Sequence, residues 1–278
     1  MVDTSSMDLK HKEQQRRALD SQLSSHGGLI GLFETVLRRS KTVTHAVSTL
    51  PLYLMAVVVV GLALTPSVFV FRAIAQATVN SNYLINVAAH AFALALGFFI
   101  YGFSLIVVVP VANFVLRSRL IPWRGPYYSF GSLRWYIHNG LTYLVRYTFL
   151  EFMTPTPFCI MYFRWMGMKI GRDVQLNTSN ISDPSLIEIG DRATIGGSAT
   201  IIAHYATSGF LIIAPTRIGA GATIGLKATI MGGVTIGDYA VILPNSVILP
   251  KTVVPAGEIW GGVPARRLEI IAVPGTNS

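Results

Sequence analysis

The chain has 278 residues, a net charge of +9 and only 13% charged residues, whereas a soluble globular protein has about 25%. Apolar residues make up 51% of the chain, and the mean hydropathy is +0.52. This composition excludes a disordered chain and argues against an ordinary soluble enzyme. The one cysteine, Cys159, excludes an intrachain disulfide and a multi-cysteine metal site.

The positive charge is concentrated in the most hydrophobic part of the chain. Residues 51–172 carry 9 basic and 1 acidic side chains, whereas residues 173–278 carry 6 and 7. Residues 1–50 carry 7 and 5. The excess charge therefore does not lie on the C-terminal part, and it is no evidence for an anionic macromolecular substrate.

Two long uncharged runs follow a polar N-terminal segment, residues 1–49, in which we expect a loose helix or disorder. The runs are Leu52–Phe71 and Leu84–Leu116. Because about 20 apolar residues cross a bilayer, residues 50–116 are predicted to form a transmembrane helical hairpin. A buried helix of a soluble protein is the alternative, which the second run makes weak. The first run begins too far into the chain for a cleaved signal peptide.

The basic residues around the two runs predict the orientation of the hairpin. Cytoplasmic flanks of membrane spans are enriched in lysine and arginine. We therefore expect an inner (plasma) membrane, multi-pass protein with both flanks and the C-terminal domain in the cytoplasm. The connection between the runs carries only Arg72, whereas the flanks carry Arg38, Arg39, Lys41, Arg117, Arg119, Arg124 and Arg134.

Residues 117–169 mix arginine with many tryptophan and tyrosine residues, and we call this segment the collar. Such a mixture suits the interface of an anionic leaflet, so membrane lipids are expected partners. Aromatic and basic residues also alternate in proteins that bind single-stranded nucleic acid. Because the collar directly follows a predicted span, we expect no nucleic acid. A packing segment that joins the membrane to the soluble domain is the simplest interpretation.

An internal repeat with a period of six residues dominates the rest of the chain, residues 170–268, before a short tail, 269–278. Every sixth residue is a branched aliphatic, and the position four further on is small or β-branched in six of seven cases. This period fits neither an amphipathic helix nor one long strand. It predicts short strands separated by tight turns, with the aliphatic side chains in a narrow core. The aliphatic series reads Ile218, Ile224, Ile230, Ile236, Ile242, Ile248 and Val254, and the same phase appears upstream at Ile189, Ile195 and Ile201.

The repeat, from about Met168 to Leu268, resembles the hexapeptide-repeat acyltransferases. Like the maltose and galactoside acetyltransferases, the chain places repeats on both sides of a histidine and a loop, and the last repeats are followed by Gly262-Val263-Pro264-Ala265. The resemblance implies a left-handed parallel β-helix with three hexapeptides per coil. Together with the N-terminal hairpin, the expected fold class is mostly β, with an α-helical transmembrane anchor. The family also implies a homotrimer with active sites between subunits.

The collar is absent from those soluble enzymes. With the segment Arg164–Gly171, it makes the chain more similar to the membrane-bound terminal modules of polylysine-synthetase-type nonribosomal peptide synthetases. Those modules join aminoacyl thioesters to amines. The sequence holds no adenylation or carrier domain, so we expect a carrier protein, if one is used, to act in trans.

The repeat is interrupted once, between Ile201 and Ile212, and the interruption contains His204. His204 is the only histidine in the repeat domain. A neutral imidazole can take the proton of a hydroxyl or an amine that attacks a thioester, and the resembled family uses the histidine here in that way. A structural histidine in the loop is the alternative. The related gamma-class carbonic anhydrases need three histidines around zinc, so we expect no metal.

The resemblance also suggests residues for the acceptor and the donor. On the acceptor side, Asp183 could orient His204 or bind the acceptor, although a turn aspartate before proline is equally expected. For the donor, basic side chains would lie near the phosphates of coenzyme A, with solvated surface charges as the alternative. Gly233 could instead serve only a coil corner. The acceptor-binding or histidine-orienting candidates are Asn177, Asn180, Asp183, Glu188 and Tyr205, and the donor-binding candidates are Gly225, Gly232, Gly233, Lys251, Arg266 and Arg267.

The sequence thus predicts a membrane-anchored acyltransferase. It would move an acyl or aminoacyl group from coenzyme A or a carrier protein to a hydroxyl or an amine, with His204 as general base. A peptide-bond-forming module of the polylysine-synthetase kind is one alternative. A non-catalytic trimeric membrane scaffold is the other.

Overall fold

The computed structural model describes residues 27–29, 31–32, 35, 41–127 and 129–268. Most of the predicted N-terminal segment and the tail 269–278 lie outside the described residues. The long helices are α1 (Lys41–Ala77), α2 (Tyr83–Val115), α3 (Leu133–Thr148) and α4 (Pro157–Trp165), and short 3-10 turns cover Phe130–Ser132, Leu150–Met153 and Pro184–Leu186. The strands are β1 (Trp123–Pro126), β2 (Lys169–Ile170), β3 (Gln175–Leu176), β4 (Ile187–Ile189), β5 (Thr194–Ile195), β6 (Thr200–Ile201), β7 (His204–Thr207), β8 (Phe210–Ile213), β9 (Thr216–Ile218), β10 (Thr223–Ile224), β11 (Thr229–Ile230), β12 (Thr235–Ile236), β13 (Val241–Ile242), β14 (Val247–Ile248), β15 (Val253–Val254), β16 (Ile259–Gly262) and β17 (Ala265–Arg267).

The two predicted apolar runs form the helical hairpin α1–α2, as expected. Thr49–Ala77 and Tyr83–Val115 are 29 and 33 residues long, each with a mean hydropathy of 2.5. Length and composition therefore make both helices able to cross a bilayer. Asn82 caps α2, since its side-chain oxygen accepts a hydrogen bond from the Ile85 amide. Many large apolar side chains on α1 and α2 are exposed, which suits helices that are surrounded by lipid.

A small polar cluster lies at the C-terminal end of α2. The Asn113 Oδ1 atom is 2.9 Å from Nδ1 of His138 and accepts a hydrogen bond of 2.6 Å from the Ser118 hydroxyl. All three residues are buried. Because buried polar groups need hydrogen-bond partners, this cluster fixes the start of the collar and helix α3 against α2.

The repeat region forms a parallel β-helix, as the resemblance to the hexapeptide-repeat acyltransferases implied, and its strands are short, as the six-residue period predicted. Strands of two to four residues stack into three sheets, ordered β17-β16-β13-β10-β5-β3, β14-β11-β6 and β15-β12-β9-β4-β2. Ile224 of β10 is in register with Ile195 of β5 and with Ile242 of β13, 18 positions further on. Each coil therefore contains three hexapeptides.

The core of the β-helix consists of the repeated aliphatic side chains. Ile195, Ile224, Ile230 and Ile242 are fully buried, and the alanines at the small positions are buried beside them. Burial of one such side chain contributes about 1.5–3 kcal/mol. Helix α4 contacts β2 and buries Cys159, Tyr162 and Phe163, which closes the end of this core.

The chain divides into two compact units. One contains the described residues up to Ser118, with Trp123–Leu144 and Ala206–Ile212, and the other contains Arg119–Pro122, Val145–Tyr205 and the chain from Ile213 onward. In the first unit, β8 pairs with β1, and the Tyr127 amide donates to the Gly209 carbonyl at 3.0 Å. The Arg124 guanidinium also lies over the Phe210 ring, 5.4 Å from its centroid.

Candidate active site

The interruption of the repeat is a β-hairpin that begins at His204. Strand β6 ends the preceding hexapeptide at Ile201, and β7 starts three residues later. The β-helix resumes with β9 at Thr216, since Ile212 lies within β8 of the hairpin. Irregular segments on a rigid scaffold are common places for functional residues.

His204 forms a close contact with Asp183. Its Nδ1 atom lies 2.5 Å from Oδ2 of Asp183, and the same oxygen accepts a hydrogen bond of 3.1 Å from the Ala203 amide. The Asp183 side chain is fully buried, whereas 18% of the His204 side chain is exposed. The imidazole is therefore held by a buried carboxylate and still meets solvent.

The backbone around Asp183 explains how its carboxylate reaches His204. Asp183 has a left-handed conformation, with φ of 61°, which aspartate tolerates better than most residues. The Leu186 amide donates to its carbonyl at 2.9 Å and closes the 3-10 turn. On the preceding side, the Ser182 amide donates to the Ile201 carbonyl at 3.0 Å, which holds this segment along β6.

The contact sets the tautomer of the imidazole. An ionised carboxylate can only accept hydrogen bonds, so Nδ1 of His204 carries the proton that is donated to Asp183. Nε2 is then the unprotonated ring nitrogen in the neutral imidazole. This arrangement can remove a proton from a hydroxyl or an amine.

The next coil packs directly against the backbone of His204. A Cβ atom at Gly232 would lie 2.7 Å from the His204 amide nitrogen, closer than any real contact. In addition, the Thr216 hydroxyl donates to the Ile202 carbonyl at 2.8 Å. Thr216 was not predicted as a site residue, because its sequence signal is only that of a small position in the repeat.

The other acceptor-side candidates have different surroundings. The Asn180 side-chain oxygen accepts a hydrogen bond from Arg146, and Asn177 is exposed. The Glu188 carboxylate lies 3.5 Å from the Lys169 ammonium and 3.8 Å from the Arg217 guanidinium. Tyr205 follows His204 in β7 and is half-buried. Among these candidates, the structure thus brings Asp183 to the imidazole, and it engages Asn180 and Glu188 elsewhere.

The donor-side candidates fall into two groups. Gly225 resembles Gly232, since its Cβ atom would lie 2.4 Å from the Pro244 nitrogen, so both glycines permit the close stacking of coils. Gly233 has a φ of +79°, which favours glycine at a corner. The basic side chains of Lys251, Arg266 and Arg267 are exposed, and Arg267 pairs with Glu258 at 3.4 Å.

Cys159 lies outside this site, in helix α4. Burial raises the pKa of its thiol to about 11, and the Thr154 hydroxyl, 3.4 Å away, opposes this shift. A thiol that stays protonated is a poor nucleophile. Within the described parts of the chain, no cluster of three histidine, cysteine, aspartate or glutamate residues could hold a metal ion.

Comparisons with known families and proteins agree with this architecture. Residues 215–250 match the family described as "Bacterial transferase hexapeptide (six repeats)". A curated relative, the delta-poly-L-ornithine synthetase of Acinetobacter baumannii, is 29% identical over 119 residues. That match covers 41% of this chain and 9% of the synthetase, so this chain corresponds to a small part of its relative.

Similar solved structures include two acetyltransferases. A maltose O-acetyltransferase from Clostridium difficile is 20% identical, with a TM-score of 0.36, over 45% of this chain and 83% of that one. A hexapeptide-repeat acetyltransferase from Vibrio cholerae, complexed with acetyl coenzyme A, is 21% identical, with a TM-score of 0.35, over 43% and 82% of the two chains. Residues 215–250 are thus similar to the bacterial transferase hexapeptide repeats.

Proposed function

We propose that this hexapeptide-repeat protein is a membrane-anchored acyltransferase. It moves an acyl or aminoacyl group from a thioester donor, coenzyme A or a carrier protein, to a hydroxyl or amine acceptor. The observation that carries the proposal is the contact between Asp183 and His204 at the one interruption of the repeat. A transferase-type hexapeptide match over residues 215–250, which follow this site in the chain, supports it.

His204 is the general base of the proposed reaction. The oxygen or nitrogen of the acceptor attacks the thioester carbonyl carbon while its proton passes to Nε2 of His204. The tetrahedral intermediate then expels the sulfur, which takes that proton, so that a C–S bond is exchanged for a C–O or C–N bond. Asp183 keeps Nδ1 protonated and stabilises the imidazolium that forms between the two steps. A positioned base of this kind contributes about 10²–10⁴-fold to the rate.

The donor binds along the last coils in this proposal. Lys251, Arg266 and Arg267 attract the phosphates of coenzyme A or of a carrier-protein arm, since exposed basic side chains pair well with phosphate. Gly233 leaves a coil corner without a side chain where the pantetheine arm would run, and Gly225 and Gly232 permit the close stacking of the coils along which the arm would lie. As in the resembled family, the active protein is a homotrimer.

The helices α1 and α2 anchor this enzyme in the plasma membrane. Their length and hydropathy support two spans, and the basic flanks support a cytoplasmic catalytic domain. The acceptor is then reached from the cytoplasmic side, where thioester donors are made.

A peptide-bond-forming activity is the second candidate. The match to delta-poly-L-ornithine synthetase favours it, because the printed name of that relative describes a polymer of an amino acid. In this variant of the proposal, the donor is an aminoacyl carrier protein and the acceptor is an amine. Asp183 and His204 keep the same roles.

Transfer assays separate these possibilities. The full chain in vesicles is supplied with a panel of acyl-coenzyme A thioesters and aminoacyl carrier proteins, together with hydroxyl and amine acceptors. We expect acceptor-dependent thiol release by the wild-type protein and its loss in His204→Ala. Turnover only with carrier-bound donors and amines would favour the peptide-forming activity, whereas full activity of His204→Ala would refute the catalytic role of His204.

A further inference from the structure

The outward face of helix α4 carries large apolar side chains that the described residues leave exposed. Its inward face buries Cys159, Tyr162 and Phe163. Outside that inward face, 43% of Phe158 and 49% of Trp165 are exposed. Because these two residues are seven positions apart, they lie on the same side of the helix. A helix on the surface of a soluble protein normally carries charged residues there.

A groove runs along this exposed side of α4. It has a volume of about 490 Å³ and is lined by Pro157, Ile160, Met161, Arg164 and Trp165 of the helix, and by Gly171, Asp173 and Val174 of the first coil. Nη2 of Arg164 donates to the carbonyls of Ile170 and Gly171, at 3.0 and 2.9 Å. The groove therefore combines an apolar wall with the cation of Arg164 and the carboxylate of Asp173, as suits a molecule with an apolar chain and a polar head.

The C-terminal end of α4 is hydrogen-bonded to the start of the collar. Nη2 of Arg119 donates to the Gly167 carbonyl at 3.3 Å, two residues after α4 ends. Arg119 itself follows the last residue of α2, Val115, by four positions.

The sequence around α4 and the groove is strongly basic. Residues 117–173 carry 8 basic side chains and two acidic ones, Glu151 and Asp173, and Asp173 lines the groove. A basic surface with exposed aromatic rings matches the headgroup region of an anionic leaflet, where tryptophan and arginine side chains keep their polar ends hydrated.

We propose that the outward face of α4 lies in the headgroup region of the cytoplasmic leaflet. Phe158 and Trp165 enter the boundary between headgroups and acyl chains, Arg164 meets a lipid phosphate, and a lipid chain occupies the groove. The inference rests on the proposed function in one respect only, namely that α1 and α2 span the bilayer. It assigns a membrane-binding surface to the soluble domain in addition to the hairpin.

Spin labels on the full chain test this surface. The protein carries Cys159→Ala and one new cysteine, Phe158→Cys or Trp165→Cys, and is reconstituted in vesicles of phosphatidylethanolamine and phosphatidylglycerol. Phe92→Cys in α2 and Tyr239→Cys on the β-helix serve as controls, because 77% and 61% of the native side chains are exposed. Each nitroxide is probed with oxygen, which concentrates in lipid, and with a water-soluble nickel chelate.

We expect the labels at positions 158 and 165 to collide more with oxygen than with the chelate, as at position 92, and the label at 239 to show the reverse. Labels at 158 and 165 that behave like the one at 239, while 92 reports lipid, would overturn the proposed surface and leave the membrane anchor intact. A label at 92 that reports water would overturn the anchor and this surface together. Phe158 and Trp165 are both half-exposed, so either label alone carries the test.

Discussion

Replacement of Asp183 by asparagine probes the coupling between the buried carboxylate and the imidazole. Asparagine has the same shape, but it has one acceptor oxygen and no charge, and Oδ2 of Asp183 contacts both the Ala203 amide, at 3.1 Å, and Nδ1 of His204, at 2.5 Å. With its oxygen at the Oδ2 position, asparagine keeps both hydrogen bonds, but the imidazolium loses its negatively charged partner. With its NH₂ group there, asparagine donates to Nδ1, the ring proton moves to Nε2, and the Ala203 amide loses its acceptor. Both orientations weaken general-base catalysis by His204.

The expected loss follows from the value of a positioned base. If Asp183→Asn removes general-base catalysis, kcat falls by about 10²–10⁴-fold, or about 2.7–5.4 kcal/mol of transition-state stabilisation. Because Asp183 acts through His204, we expect the double variant Asp183→Asn/His204→Ala to lose no more activity than His204→Ala alone. The assay is acceptor-dependent thiol release from the donor that the wild-type protein uses.

The matched control is Asp191→Asn. Asp191 is also a coil aspartate that accepts a backbone hydrogen bond, from Arg172 at 2.8 Å, but its carboxylate is paired with that arginine at the surface. We expect wild-type turnover in this control. Full turnover in Asp183→Asn, or losses of Asp183→Asn and His204→Ala that multiply in the double variant, would refute the coupling.

Three further outcomes follow from the packing of the soluble domain. Gly232→Ala should lower both the melting temperature and the turnover, because its Cβ atom would lie 2.7 Å from the His204 amide nitrogen. Gly140→Ala is the control, since a Cβ atom there would lie in open space on α3 and should cost no stability. Equal changes in the melting temperature of the two variants would contradict this reasoning. Ile230→Ala should reduce the free energy of unfolding by about 2–5 kcal/mol in denaturant titrations, since the side chain is fully buried, and a loss below 1 kcal/mol would argue against a closed core. Because the pKa of the Cys159 thiol is raised in the folded state to about 11 from 9.0, its contribution to stability is complete below pH 9 and is lost as the pH rises toward 11. The difference in unfolding free energy between wild type and Cys159→Ser should therefore shrink over this range by about 2–3 kcal/mol, and a constant difference would contradict the assigned burial.

The β-helix was predictable because its signal is local and repeated. Each hexapeptide places one aliphatic residue, such as Ile224, at the same position of a short strand, so the period indicates the strands, and the resemblance adds the coil of three hexapeptides that brings Ile224 into register with Ile242. The two spans were predictable for a similar reason, since a long uncharged run has few other stable environments.

The details of the candidate site were less predictable, because they depend on contacts between distant segments. The sequence left Asp183 open between a turn residue and a partner of His204, and only the left-handed backbone at Asp183 directs its carboxylate to the imidazole. The pairing of β1 with β8 joins segments more than 80 residues apart and carries no period. Likewise, the hydrogen bond from Arg146 to Asn180 joins the collar to the first coils without any sequence signal.

The coil of 18 residues also makes the length of this domain adjustable. If a whole coil were inserted after Ile236, every later strand would still lie in its own sheet, and the β-helix would be longer by one coil. A single inserted hexapeptide would instead turn all later strands by one third of a revolution and displace the exit strands β16 and β17. Insertions and deletions during evolution should therefore comprise whole coils, and they should lie in the part of the β-helix that follows His204.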